Sequence, residues 1–174
     1  MKNVTHRRKQ PLEFAWPEIP FHVVLVEPQI PPNTGNIARL CAATGSVLHL
    51  VGPLGFRLDD RNLRRAGLDY WSSVRVERYT DIMDFYGQRT DGERFFYYST
   101  SGSRGYTTAH YRPGDWLVFG NEPEGLPDAL LDANTGRVYT IPLKRDHVRS
   151  LNLATAVSIV LYEALRQAGV GEAP

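Results

Sequence analysis

The chain has 174 residues, 42% of them hydrophobic and 22% charged, which is enough for one domain with a substantial core and excludes a disordered polyelectrolyte. A formal net charge of +1 excludes a uniformly basic protein while leaving room for a local basic patch. The single cysteine, Cys41, excludes an internal disulfide and argues against a cysteine-based metal site, so no metal is expected.

Residues 1–20 read as a flexible extension: His6, Arg7, Arg8 and Lys9 are followed by Pro11, Pro17 and Pro20, a density of prolines that opposes regular structure. A tail that touches RNA phosphates is the alternative. The extension has no continuous apolar run of the secretory type and no later segment is long and apolar enough to span a bilayer, so a cytoplasmic protein without membrane contact is expected. The domain proper is expected over residues 21–170.

From Phe21 onward the strand candidates are "FHVVLVE", "VLHLVG", "VRVERY", "RFFYYST", "WLVFG" and "RVYTIPL", and helical patterns lie between most of them. Asp59 or Asp60 can cap "RNLRRAG", Thr80 can cap "DIMDFYG", and Pro127 suits the first turn of "PDALLDAN". The alternation predicts an α/β fold, a mostly parallel sheet covered by helices on both faces, with ligands beyond the carboxyl ends of the strands. In the last helix Leu153, Val157, Val160, Leu161 and Ala164 form one apolar stripe, which Ile159, Tyr162 and Leu165 widen. A helix apolar beyond one stripe is buried on more than one face, so a homodimer is expected, the other candidate cover being an N-terminal segment.

Three stretches carry candidate chemistry. In "PPNTGNIARL" the prolines force an extended approach, and Asn33 or Thr34 can cap a helix whose free N–H groups would form an anion site. Asn36 and Arg39 share one face of it while Ile37, Leu40 and Cys41 point to the core; from this stretch alone Arg39 reads as a surface charge or structural ion pair rather than as a site residue. In "WLVFGNEPEGLP" a strand runs into a glycine-bearing turn that sets Glu122 at its carboxyl end. In "IPLKRDHVRSLNLATAV" a basic loop precedes a helix that Ser150 or Asn152 can cap, and His147 has no partner spacing for a metal or triad.

Together the three stretches resemble the signature of the SPOUT class of RNA methyltransferases, in its SpoU-like branch of ribose 2′-O-methyltransferases. The family pattern N-x-x-G-N-I-x-R is similar to the run with Asn33, Gly35, Asn36, Ile37 and Arg39, F-G-x-E-x-x-G-L to Phe119, Gly120, Glu122, Gly125 and Leu126, and I-P with R-S-L-N-L to Ile141, Pro142 and Arg149 to Leu153. Within that branch "EPQIPPNTGNIARLCAATG", "LRRAGLDYW" and "LYEALRQ" resemble the compact enzymes that methylate the wobble nucleotide of tRNA, over roughly Phe21 to Gly169. The resemblance implies a homodimer with a C-terminal trefoil knot whose loops hold S-adenosyl-L-methionine, and the anticodon stem-loop of tRNA as substrate. It implies cofactor contacts at Tyr98, Gly120, Ile141 and Ser150, and roles in the chemistry for Arg39, Asn33, Glu122 and Asn152.

The sequence departs from the family at Ala154 and Thr155, where Ser-Asn is common, at Glu124, often Arg, and at Ser101, frequently Lys. Arg57, Arg61, Arg64, Arg65, Lys144, Arg145 and Arg149 form a candidate phosphate-binding group. The alternatives are a related methyltransferase acting on another tRNA or ribosomal RNA nucleotide, or a dimeric RNA-binding module without catalysis. A conventional Rossmann enzyme is disfavoured by the missing glycine fingerprint after the first strand.

Overall fold

The computed structural model describes residues 14–57, 73–144 and 146–171. The helix expected at "RNLRRAG", with Arg61, Arg64 and Arg65, and the loop residue Arg145 lie outside the described residues.

Six strands form where the β-branched and aromatic runs predict them: β1 (His22–Val26), β2 (Val47–Val51), β3 (Val76–Tyr79), β4 (Phe95–Tyr98), β6 (Trp116–Phe119) and β7 (Val138–Thr140). A seventh, β5 (Arg104–Gly105), is too short to carry a sequence pattern. They assemble in the order β3-β2-β1-β6-β4-β7-β5, and every pairing is parallel. Among the described residues four α-helices accompany them: α1 (Pro31–Thr44), α2 (Ile82–Gly87), α3 (Asp128–Asp132) and α4 (Leu153–Gln167).

Because successive strand residues face opposite sides, a sheet covered twice needs apolar residues at every position. Val23, Leu25, Leu48, Leu50, Leu117 and Phe119 face a core shared with Ile37 and Cys41 of α1 and Val157, Val160 and Leu161 of α4. Val24, Val26, Val51 and Val118 face the other core, with Phe85 of α2 and, at its margin, Leu130 and Leu131 of α3. The predicted stripe of α4 is thus buried, and Leu165 joins it, whereas Tyr162 is 52% exposed and contributes little to that core. Burial pushes the Cys41 thiol far up, consistent with an inert core residue. Among the described residues no helix is long and apolar enough to cross a membrane.

The helix ends explain the local boundaries. Ile30 stands at the N-cap of α1 and Pro31 and Pro32 fill its first positions, where a missing N–H costs nothing. Gly45, at φ 67, closes the helix and returns its N–H to the Cys41 carbonyl. Asp81, rather than Thr80, caps α2 by accepting from the Met83 and Asp84 N–H groups, and the Thr80 N–H donates to the Asp84 carboxylate. Pro127 is the N-cap residue of α3.

Near the carboxyl end β7 lies between β4 and β5, which residues 99–103 join directly. That link lies across β7: the Ser99 N–H donates to the Tyr139 carbonyl at 3.0 Å, and a Cβ on Gly102 would stand 2.6 Å from the Tyr139 carbonyl carbon. Only glycine allows so close a backbone crossing.

Candidate active site

The chemistry-bearing stretches meet at the carboxyl edge of the sheet. Beyond β6 the chain folds tightly back on itself: Asn121 and Gly125 exchange backbone hydrogen bonds at 3.2 and 3.0 Å, and the Asn121 side-chain oxygen accepts the Glu124 N–H. Gly125 has φ +77, and a Cβ on Gly120 would overlap the Gly125 carbonyl. Both glycines are therefore required for the turn that presents Glu122.

Glu122 meets the start of α1. Its Oε2 accepts the Gln29 N–H at 2.8 Å, and its Oε1 accepts the Ile30 N–H at 3.2 Å and the Asn33 Nδ2–H at 2.9 Å. The sequence led us to expect free N–H groups at this helix end; instead Pro31 and Pro32 have none, Asn33 and Thr34 donate back to the Ile30 carbonyl, and the two preceding N–H groups are taken by Glu122. The anion at the positive end of the helix dipole is the protein's own carboxylate. Asn33 lies within the first turn, not at the cap.

The chain of contacts continues to α4. Asn33 Oδ1 accepts from Asn152 Nδ2 at 2.8 Å, and Asn152 Oδ1 caps α4 by accepting the Ala154 N–H at 2.9 Å and the Thr155 N–H at 3.3 Å. Its polarity is determined throughout. A carboxylate only accepts, so Asn33 must turn its amide nitrogen to Glu122; helix N–H groups only donate, so Asn152 must turn its oxygen to α4. Asn33 is 6% exposed, so losing a partner there leaves a buried amide unsatisfied.

Arg39 stands on the exposed face of α1 with Asn36, while Ile37 and Cys41 are fully buried. Six residues beyond Asn33, it lies about 9 Å further along the helix axis.

The expected cofactor positions Tyr98, Gly120 and Ile141 fall side by side. Phe119, Tyr98 and Tyr139 form one rung across the neighbouring strands β6, β4 and β7, so Gly120 and Ile141 follow within two residues of it. The Tyr98 side chain is turned into the core: it is 7% exposed, stacks on Phe119 and donates to Tyr111 Oη at 2.9 Å. Only its backbone is available. Ser150 is exposed and, with Asp146, His147, Val148 and Arg149, lines a depression of about 490 Å³. The Gln29 and Ile30 N–H groups were not among the expected site groups, and no side-chain pattern in the sequence marks them.

A parallel α/β domain that draws these three stretches to one edge has the architecture of a ribose methyltransferase of the SpoU type. Residues 20–162 match the model of the SpoU rRNA Methylase family, and the chain belongs to that family. It is 50% identical over 153 residues to the tRNA (cytidine(34)-2'-O)-methyltransferase of Burkholderia pseudomallei, covering 86% of this chain and 96% of that one. To the Escherichia coli protein of the same name it is 48% identical over 149 residues, covering 85% and 94%. A solved structure described as "Structural insights into the 2-OH methylation of C/U34 on tRNA" superposes with a TM-score of 0.81 at 43% identity, covering 87% of this chain and 92% of the other. An AdoMet-bound rRNA methyltransferase from Sinorhizobium meliloti superposes with a TM-score of 0.74 at 31% identity, covering 87% and 58%.

Proposed function

We propose that this chain transfers the methyl group of S-adenosyl-L-methionine to the ribose 2′-hydroxyl of the wobble nucleotide, cytidine or modified uridine, at tRNA position 34. The observation that carries the reading is the closed Glu122–Asn33–Asn152 chain, which joins the three signature stretches at one sheet edge. The names of the relatives from Burkholderia pseudomallei and Escherichia coli supply the nucleotide.

The depression beside Ser150, about 490 Å³, is in the size range of small-ligand sites, and Tyr98, Gly120 and Ile141 lie at the carboxyl ends of the neighbouring strands β4, β6 and β7, where ligands of such sheets bind. These residues fit the cofactor and would hold it. When bound, S-adenosyl-L-methionine supplies a methyl carbon already activated by its sulfonium, so the transfer calls for alignment and deprotonation of the hydroxyl rather than for a metal.

Arg39 is permanently charged and cannot act as a simple base. It grips the neighbouring RNA phosphate in a bidentate clamp and stabilises the alkoxide as it forms, while a phosphate oxygen or water takes the proton. Glu122, Asn33 and Asn152 hold the start of α1, and with it the helix that carries Arg39. Arg57, Lys144 and Arg149 add phosphate contacts to the anticodon stem-loop, which presents the unpaired nucleotide.

A homodimer and a C-terminal trefoil knot belong to the same proposal. The half-exposed Tyr162 beside the partly buried Ile159 supports a second copy against α4, and the 99–103 link lying over the Tyr139 backbone supports threading of the chain after β7. With tRNA as substrate, the expected location is the cytoplasm.

The test is a map of 2′-O-methylation in total tRNA from cells with and without the protein, backed by transfer from labelled cofactor to purified tRNA. The expected result is one protein-dependent site, at the wobble ribose. Methylation of ribosomal RNA or of another tRNA position, or binding without transfer, would overturn it.

A further inference from the structure

Gln29 touches two things at once. Its backbone N–H is held by Glu122 at 2.8 Å, and its side chain packs on Gly55 in the loop that follows β2. A Cβ built on Gly55 would overlap the Gln29 side chain and come within 2.9 Å of its Cα, so only glycine allows the two loops to lie this close. The Gly55 N–H donates to the Pro28 carbonyl at 3.0 Å, which fixes the approach on the backbone as well.

The Gln29 side chain is itself fixed. Its Nε2 donates to the Glu27 carbonyl at 2.8 Å, and Glu27, at φ 51, takes the left-handed turn that bends the chain after β1. The Glu27 N–H is bonded to Val51 of β2 at 2.7 Å. The segments after β1 and at the end of β2 are thus joined by two backbone bonds and one side-chain contact, and Gln29 connects them to the Glu122 carboxylate. Two residues past Gly55 comes the exposed Arg57, the first of the basic residues expected to meet RNA.

We infer that Gln29 is a positioning residue: resting on Gly55, it sets the loop that carries Arg57 in fixed register with the start of α1, so that an RNA phosphate held there and the ribose presented to Arg39 keep a set separation. The inference rests on the methyltransferase reading for its substrate, but not for its geometry. Gln29 makes no contact with the reacting atoms; it acts through the two loops it joins. Moving one phosphate contact weakens RNA binding without touching the reacting atoms, so the loss belongs in KM rather than in kcat.

The experiment compares Gly55→Ala, Gln29→Ala and the double variant in the full chain. Gly55→Ala should raise KM for tRNA about tenfold while kcat and the Kd for S-adenosyl-L-methionine stay within about twofold. Gln29→Ala, which removes the same packing from the other side, should raise KM by a similar factor, and the double variant should be no worse than the poorer single variant, because both changes break one contact. Equal losses in kcat, KM and cofactor affinity, or additive losses in the double variant, would overturn the inference. Amide hydrogen exchange gives an arm independent of activity: Gln29→Ala should speed exchange at the Gly55 N–H about tenfold without changing the middle of α1. Unchanged exchange at Gly55 would overturn the latch even if the chain methylates tRNA. A chain that methylates no tRNA but shows the faster exchange would keep the latch and remove its substrate.

Discussion

The Asn33 side-chain amide donates to Glu122 at 2.9 Å across 89 residues of sequence. The contact ties the first turn of α1 to the turn after β6, and Asn152 extends it to the cap of α4. Three segments that share no local sequence are held by groups whose donor and acceptor roles admit one arrangement, so rigidity here comes from matching rather than from bulk.

Glu122→Ala leaves the Gln29 and Ile30 N–H groups and the Asn33 amide without their acceptor. It should cost about 1–3 kcal/mol in urea unfolding. Glu122→Gln keeps one acceptor oxygen but turns a donor toward donors, and should recover only part of that loss. Equal stability of wild type and both variants would show that solvent replaces the contacts freely.

Arg39→Lys keeps the charge and loses the planar fork. On the clamp mechanism kcat should fall about 10²-fold, the scale of losing one transition-state donor, with cofactor affinity unchanged. Single-turnover measurement of methyl transfer to tRNA reads this directly, and near wild-type turnover would rule the clamp out.

Acid should unfold the protein through an imidazole cluster packed against Trp116 and Phe85. His22 Nδ1 and His49 Nε2 lie 2.9 Å apart, His49 Nδ1 is 3.1 Å from Tyr79 Oη, and His22 stacks on Trp116 at 4.0 Å. Burial, then the charges of Arg89 and Arg75, lowers His22 to about 4. Burial, then His22 and the same two arginines, lowers His49 to about 3. Both imidazoles are held neutral, so below their ordinary value of 6.5 the unfolded chain binds more protons than the folded one. Stability is therefore full above that pH and declines as the pH falls toward 4 and then 3. The urea midpoint should drop between about pH 7.5 and about pH 5, and a double His-to-Gln variant should flatten the slope; a flat wild-type curve would contradict the buried neutral pair.

Gly120→Ala sets a methyl group into the Gly125 carbonyl, backbone against backbone, with no side chain able to yield. A loss of about 1–3 kcal/mol and a displaced Glu122 are expected. Gly136, where a Cβ meets nothing within 4 Å, is the matched control and should tolerate Ala. Thermal unfolding of the two variants side by side decides it.

Much of this fold was legible because buried parallel strands announce themselves as unbroken apolar runs, and the Val157–Leu161–Ala164 stripe of α4 does the same at helical spacing. β5 was not, since two residues carry no period. The cap of α2 was misassigned by one position because Thr80 and Asp81 both suit a cap, and only the geometry of the turn selects between them. At the site, resemblance supplied Glu122, Asn33 and Asn152 as names. Their shared contact was not readable, because it spans distant segments and because two of the three hydrogen bonds to Glu122 come from the backbone of Gln29 and Ile30, which sequence patterns do not register.

The position of β7 between β4 and β5 has a consequence during synthesis. A nascent chain that has left the ribosome only as far as Arg137 holds every other strand, yet β4 still presents a bare edge to the cell and β5 has nothing to join. Such an edge invites pairing with other chains. Products truncated before Val138 should therefore accumulate in inclusion bodies, because the segment from Val138 to Thr140 is the one that covers that edge.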